Sequence, residues 1–171
     1  MSKLSKIALI VIIISTIFWL GGINVRAIVG YYLLQFGTLD FKPMIHPYVE
    51  RAVFSLVVQS SIIIDLAYIC LWLAGLIFLR TTNLKLKENG WLLMCAILFY
   101  MFTPVEIYAM VLDFKMWYLE FIGSEDLVEF RKLFIHRLGA LSGVPMIALL
   151  SYYTAIVIAV IQPLKKRISD S

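Results

Sequence analysis

Charged residues are scarce in this chain. Asp, Glu, Lys and Arg make up 15% of its 171 residues, while 62% are hydrophobic. A soluble domain is about a quarter charged and about half apolar. At a mean hydropathy of +0.92, a water-soluble fold of this length would leave apolar patches too large to stay monodisperse. The composition excludes an ordinary soluble domain and points to one compact domain that uses lipid as its solvent.

Cysteine and histidine are scarcer still. The two cysteines, Cys70 and Cys95, both fall inside apolar segments, and no C-x-x-C occurs. Small four-helix membrane thiol oxidoreductases are similar in size and span count, but they need cysteine pairs in loops, so that class is excluded. The thiols read as small core hydrophobes. The two histidines, His46 and His136, are expected on the same side of the membrane. A b-type haem held between helices needs axial ligands of this kind. The alternative roles are a helix cap for His46, just before Pro47, and an interfacial position beside Arg137 for His136. No nucleophile–base pair or metal-ligand cluster argues for an enzyme. The net charge of +4 reads as basic cytoplasmic loops rather than a nucleic-acid surface.

What the chain does have is four long apolar runs, expected to span at about 7–35, 48–79, 91–112 and 141–162. The first is too long for a signal-peptide core, and Phe18-Trp19-Leu20 stands where a cleavage site would need small residues, so it is expected to be an uncleaved span. Pro47 suits the first position of the second helix, where its missing N–H costs nothing. Helices 1 and 2 read as about 30 residues each, or about 45 Å. That exceeds the about 30 Å hydrocarbon core, so both are expected to project beyond the outer headgroups.

An outer segment, 114–138, separates the last two spans. Its second half reads as a short amphipathic helix: Ser124 offers an N-cap, acids lie at its start and bases at its end, and Leu127, Phe130, Phe134 and Leu138 share a face. That helix is expected in the outer interface. Lys3, Lys6, Arg80, Lys85, Lys87, Lys165, Lys166 and Arg167 gather on one side with few acids, which places both termini in the cytoplasm. The predicted fold is an all-α integral membrane protein: a four-transmembrane-helix bundle with a short interfacial helix before the last span. A bacterial inner membrane is the default setting.

Ionisable groups inside spans usually face the bundle interior. Arg26, Asp65 and Glu106 are the candidates here. Gly22 and Gly30 flank Arg26 one turn away on either side, a pattern that lets helices approach closely. On depth, Arg26 is expected to pair with Glu106, and Asp65 to bond Ser151 and Thr154 of the last span. Ser61, Asp65, Tyr68 and Trp72 form a stripe on the second helix. Pro104 leaves the carbonyl of Tyr100 without its helical donor. Such a layer holds a bundle in register, forms a proton or solute path, or meets a partner subunit.

Three functional classes follow. The first is a non-enzymatic accessory or structural subunit that docks to other membrane protein subunits, without cofactor or nucleic acid. The second is a transporter or proton-conducting module using Arg26, Asp65 and Glu106, which with four spans needs a homo-oligomer. The third is an electron-transfer subunit binding quinone, or haem through His46 and His136.

Overall fold

The structure is a computed structural model that describes residues 1–123, 126–139 and 143–164. Helix dominates, and no strand occurs among the described residues. Four helical stretches are long and apolar enough to cross a membrane: Lys3–Tyr31, Pro47–Thr81, Gly90–Phe121 and Val144–Ile161. Most of their apolar surface faces outward, with Ile17, Ile28 and Val160 among the residues left exposed. Lipid is the medium in which such a surface is stable.

Helix α1 (Lys3–Tyr31) starts at Ser2, whose hydroxyl accepts the Ser5 N–H at 3.1 Å. It ends at Tyr31, short of residue 35. A compact hairpin follows, with an isolated bridge between Leu34 and Phe41 and a left-handed turn at Gly37 (φ 79°) that an L side chain would strain. Helix α2 (Pro47–Thr81) has Pro47 in its first turn, as predicted, and His46 as N-cap. Its 35 residues reach about 52 Å. The two helices run antiparallel along their length, and the Ser2 hydroxyl reaches the Thr81 carbonyl at 3.3 Å.

The third apolar run, expected to span at about 91–112, lies within the helical stretch Gly90–Phe121. That stretch divides into α3 (Gly90–Tyr100) and α4 (Thr103–Phe121). Pro104 stands in the first turn of α4 and has no N–H to give the Tyr100 carbonyl, so the helical ladder breaks at Met101–Phe102. Helix α4 then runs nine residues beyond Leu112, because Leu112, Asp113 and Met116 keep its buried face going. The first part of the 114–138 segment is therefore helix.

Helix α5 (Leu127–Leu138) is capped by Asp126, whose Oδ1 accepts the Val128 N–H at 2.8 Å. The predicted cap, Ser124, lies outside the described residues, as do Glu125, Leu141 and the basic tail Lys165-Lys166-Arg167. Helix α6 (Val144–Ile161) completes the fold and packs along α3, while α4 joins α2, α5 and α6.

Two ends of the bundle differ. At the head end, the α1–α2 hairpin, the start of α2, the end of α4 and α5 enclose Leu33, Leu34, Phe54, Val58, Met116, Phe130 and Phe134. The face of α5 carrying Leu127, Phe130, Phe134 and Leu138 is turned into this core rather than outward. Phe54 and Phe130 stack with ring centroids 4.7 Å apart; burying such a side chain from water is worth about 1.5–3 kcal/mol. At the tail end lie Met1, the 82–89 loop and the end of α6. Between the two is an aromatic layer, in which Trp19 contacts Tyr68 at 5.1 Å and Tyr152 at 4.7 Å.

Candidate functional site

The buried charges sit between the head core and the aromatic layer. The Gly22–Arg26–Gly30 stripe of α1 faces its neighbours as the spacing suggested. A Cβ on residue 22 would stand 2.5 Å from the Ile64 side chain, and one on residue 30 would stand 2.8 Å from the Phe134 ring. Hydrogen in place of a side chain is what lets α1 approach α2 and α5 at these two points.

Arg26, held on that stripe, does not pair with Glu106. Its Nη1 donates to Asp113 Oδ2 at 2.9 Å, and Asp113 is 1% exposed. Arg137, near the end of α5, approaches the same carboxylate at 3.3 Å. One acid of α4 thus fastens two cations, from α1 and α5. Asp113 stands seven residues, about two turns, beyond Glu106 on the same face of α4, so the acid that Arg26 meets lies about 10 Å further along the helix. The third span was expected to end at about Leu112, one residue short of Asp113. The signal that could have found it is the continued apolar period through Leu112 and Met116.

Glu106 instead accepts the Tyr152 hydroxyl at 2.9 Å, which joins α4 to α6. Asp65 of α2 is half-buried and lies within the electrostatic reach of Asp113, Arg26, Arg137 and Glu106. It makes no hydrogen bond or ion pair among the described residues. Its expected partners bond elsewhere: Ser151 donates to the Ile147 carbonyl at 2.9 Å, and Thr154 to the Leu150 carbonyl at 2.8 Å. Each hydroxyl satisfies itself on its own helix. Ser61 does the same, donating to the Val58 carbonyl at 2.7 Å. The rest of the α2 stripe works as a strut, because Tyr68 and Trp72 both donate to the Thr103 hydroxyl, at 3.4 and 3.3 Å.

The two histidines are engaged separately. His46 Nδ1 accepts the Tyr48 N–H at 3.4 Å and its ring stacks on Tyr48. His136 Nε2 lies 2.6 Å from the Tyr108 hydroxyl. Each ring thus has a different tyrosine as its neighbour. No group of three or more His, Cys, Asp or Glu able to hold a metal ion occurs among the described residues.

A second ionic layer fixes the head. Glu50, 2% exposed, accepts from Arg131 Nε and Nη2, both at 2.5 Å. This paired, bidentate geometry is the strong form of the contact, and it holds the Arg131 guanidinium above its usual pKa. Arg51 meets Glu120 at 3.0 Å. Arg131 also lies over the Phe41 ring at 5.3 Å, an arrangement worth about 0.5–1 kcal/mol at exposed sites. These contacts tie the hairpin, α2, α4 and α5 into one body. From it Phe36, Met44 and Tyr48 protrude almost fully exposed.

Compared with known proteins, the chain matches no family model, no curated protein and no solved structure.

Proposed function

We propose that the chain is a non-enzymatic integral membrane subunit that docks to a larger membrane assembly through its head. In this reading the head stands outside the bilayer and both termini lie in the cytoplasm. Lys3, Lys6, Arg80, Lys85 and Lys87 at the tail end support that orientation, and in the sequence Lys165, Lys166 and Arg167 follow α6. The 35-residue α2 exceeds an about 30 Å hydrocarbon core by about 20 Å. A tilt of about 20° shortens the excess by only a few ångströms. Headgroups occupy about 6–7 Å on each side, so the hairpin tip reaches water.

The observation that carries the reading is that tip. Phe36 is fully exposed, Met44 is 95% exposed and Tyr48 is 82% exposed. All three protrude from a head whose own core is already filled and whose buried acid, Glu50, is already paired. Aromatic residues and Met are the side chains enriched where proteins meet, and a rigid support is what lets them act as anchors. The Arg26–Asp113–Arg137 layer then serves register, fixing α1, α4 and α5 near the outer hydrocarbon boundary.

A photo-crosslinking amino acid at position 36 or 44, activated in native membranes, tests this reading. A discrete protein adduct is expected from these positions and none from position 17, which faces lipid. No protein adduct at 36 or 44 would count against docking through the tip.

One observation favours a second reading. Asp65 is an acid within a span that lacks a hydrogen-bond partner among the described residues, and such residues mark ion or proton paths. If an oligomer of this chain conducts protons, Asp65→Asn abolishes flux in reconstituted vesicles while assembly persists. Intact flux in that variant would end the idea.

A further inference from the structure

At the tail end Ala8 of α1, Phe78 of α2 and Leu92 of α3 pack together. Helices α1 and α2 pack as one pair and α3 and α6 as another, and a cavity of about 510 Å³ lies between them. Ile12 and Leu71 line one side; Ala96 and Ala159 line the other. Small side chains on α3 and α6 make the room. The floor is the aromatic layer, where Trp19 and Tyr152 meet, and Met1, Leu84 and Asn89 stand at the mouth.

Fixed struts keep the space from collapsing. Tyr100 passes over Gly75 to donate to the Trp72 carbonyl at 3.0 Å, and a Cβ on residue 75 would stand 2.5 Å from that hydroxyl. Glycine at this position lets α3 be pinned to α2 at a set distance. Cys95 Sγ donates to the Ala155 carbonyl at 3.2 Å and joins α3 to α6.

The contents follow from the chemistry of the walls. Water needs two to four polar partners in a buried site, and these walls are almost wholly aliphatic and aromatic. The volume lies within the about 300–1,000 Å³ range of small-molecule pockets. The cavity runs through the apolar segments of all its helices, at the depth where hydrocarbon chains are the abundant apolar species. Its mouth lies beside the loop carrying Lys87, a cation that suits a lipid phosphate, and Lys85, which meets Glu88 at 3.3 Å.

We propose that this cavity is a lipid-binding site that takes an acyl chain of a phospholipid from the leaflet on the side of the termini. The chain lies between the two helix pairs with its end toward Trp19, and the headgroup stays at the mouth.

The test uses the full chain with Trp19 as its sole tryptophan (Trp72→Phe, Trp91→Phe, Trp117→Phe), reconstituted into phosphatidylcholine vesicles. Lipid brominated near the chain end then replaces ordinary lipid. Trp19 is 2% exposed, so strong quenching requires a chain inside the protein. Quenching is expected, with most of it lost when Ala96→Phe and Ala159→Phe fill the cavity. Absent quenching, or quenching unchanged by the filling pair, overturns the proposal. Should the filled variant not fold, native mass spectrometry of the unmodified protein decides. A retained phospholipid at one per chain supports the site, and a bare chain overturns it.

Discussion

Arg26 of α1 and Asp113 of α4 meet at 2.9 Å through a carboxylate that is 1% exposed. Arg137 Nε donates to the same carboxylate oxygen, Oδ2, at 3.4 Å, so removing the acid strands two cations at once. Breaking a buried ion pair from one side costs about 3–5 kcal/mol. Asp113→Ala is therefore expected to lower stability by an amount in that range, read by denaturant titration in detergent micelles. Arg26→Gln should cost less, because Arg137 still serves Asp113. Equal effects would show that the two arginines do not share the acid.

The Glu50–Arg131 contact is unequal in a way that predicts unequal variants. Glu50 is buried, whereas the Arg131 side chain is 44% exposed. Arg131→Ala leaves a buried carboxylate without its donors, a loss of about 1–3 kcal/mol. Glu50→Ala lets the arginine turn into water, a loss of about 1 kcal/mol or less. Thermal unfolding of the two variants side by side checks the order, and the reverse order would contradict the burial argument.

Gly30 sets the distance between α1 and α5. Its hypothetical Cβ would stand 2.8 Å from the Phe134 ring, and a ring packed in a filled core yields poorly. Gly30→Ala is expected to destabilise the head by about 1–3 kcal/mol through overpacking. Gly21, which has open space around it, serves as control. Protease sensitivity of the hairpin in folded protein should rise in the first variant and stay unchanged in Gly21→Ala.

Within the spans, Tyr152 supplies the hydrogen bond that Glu106 accepts. Tyr152→Phe removes the donor and leaves the acid unsatisfied, at a cost of about 1–3 kcal/mol. Glu106→Gln keeps an acceptor in place and should cost less. Melting temperatures in the same detergent distinguish the two. A Tyr152→Phe protein as stable as the unsubstituted chain would mean that the acid has found another partner.

Much of this arrangement was legible in the residues. Apolar runs mark the spans because lipid tolerates little else, and Pro47 marks the start of α2 because only a helix N-terminus accommodates it freely. The Gly22–Arg26–Gly30 stripe and the apolar face of α5 follow from helical period. The partners did not follow. Asp113 lies just past the expected end of the third span at Leu112, and its pairing depends on how α1, α4 and α5 cross. Ser151 and Thr154 matched Asp65 in depth, but their hydroxyls bond carbonyls of their own helix, a local alternative that depth along an axis does not reveal. The head core brings Phe54 beside Phe130, residues far apart in sequence, and no local pattern encodes that.

Docking through the head is tested most directly by purifying a tagged copy from native membranes in mild detergent, beside a Phe36→Ser, Met44→Ser, Tyr48→Ser variant. A docking head predicts a partner protein in fixed stoichiometry with the unsubstituted chain. It also predicts loss of that partner from the triple variant, whose yield and melting temperature are unchanged. Recovery of both proteins alone, or only as homo-oligomers, would contradict docking and shift attention to Asp65 and the charge layer around it.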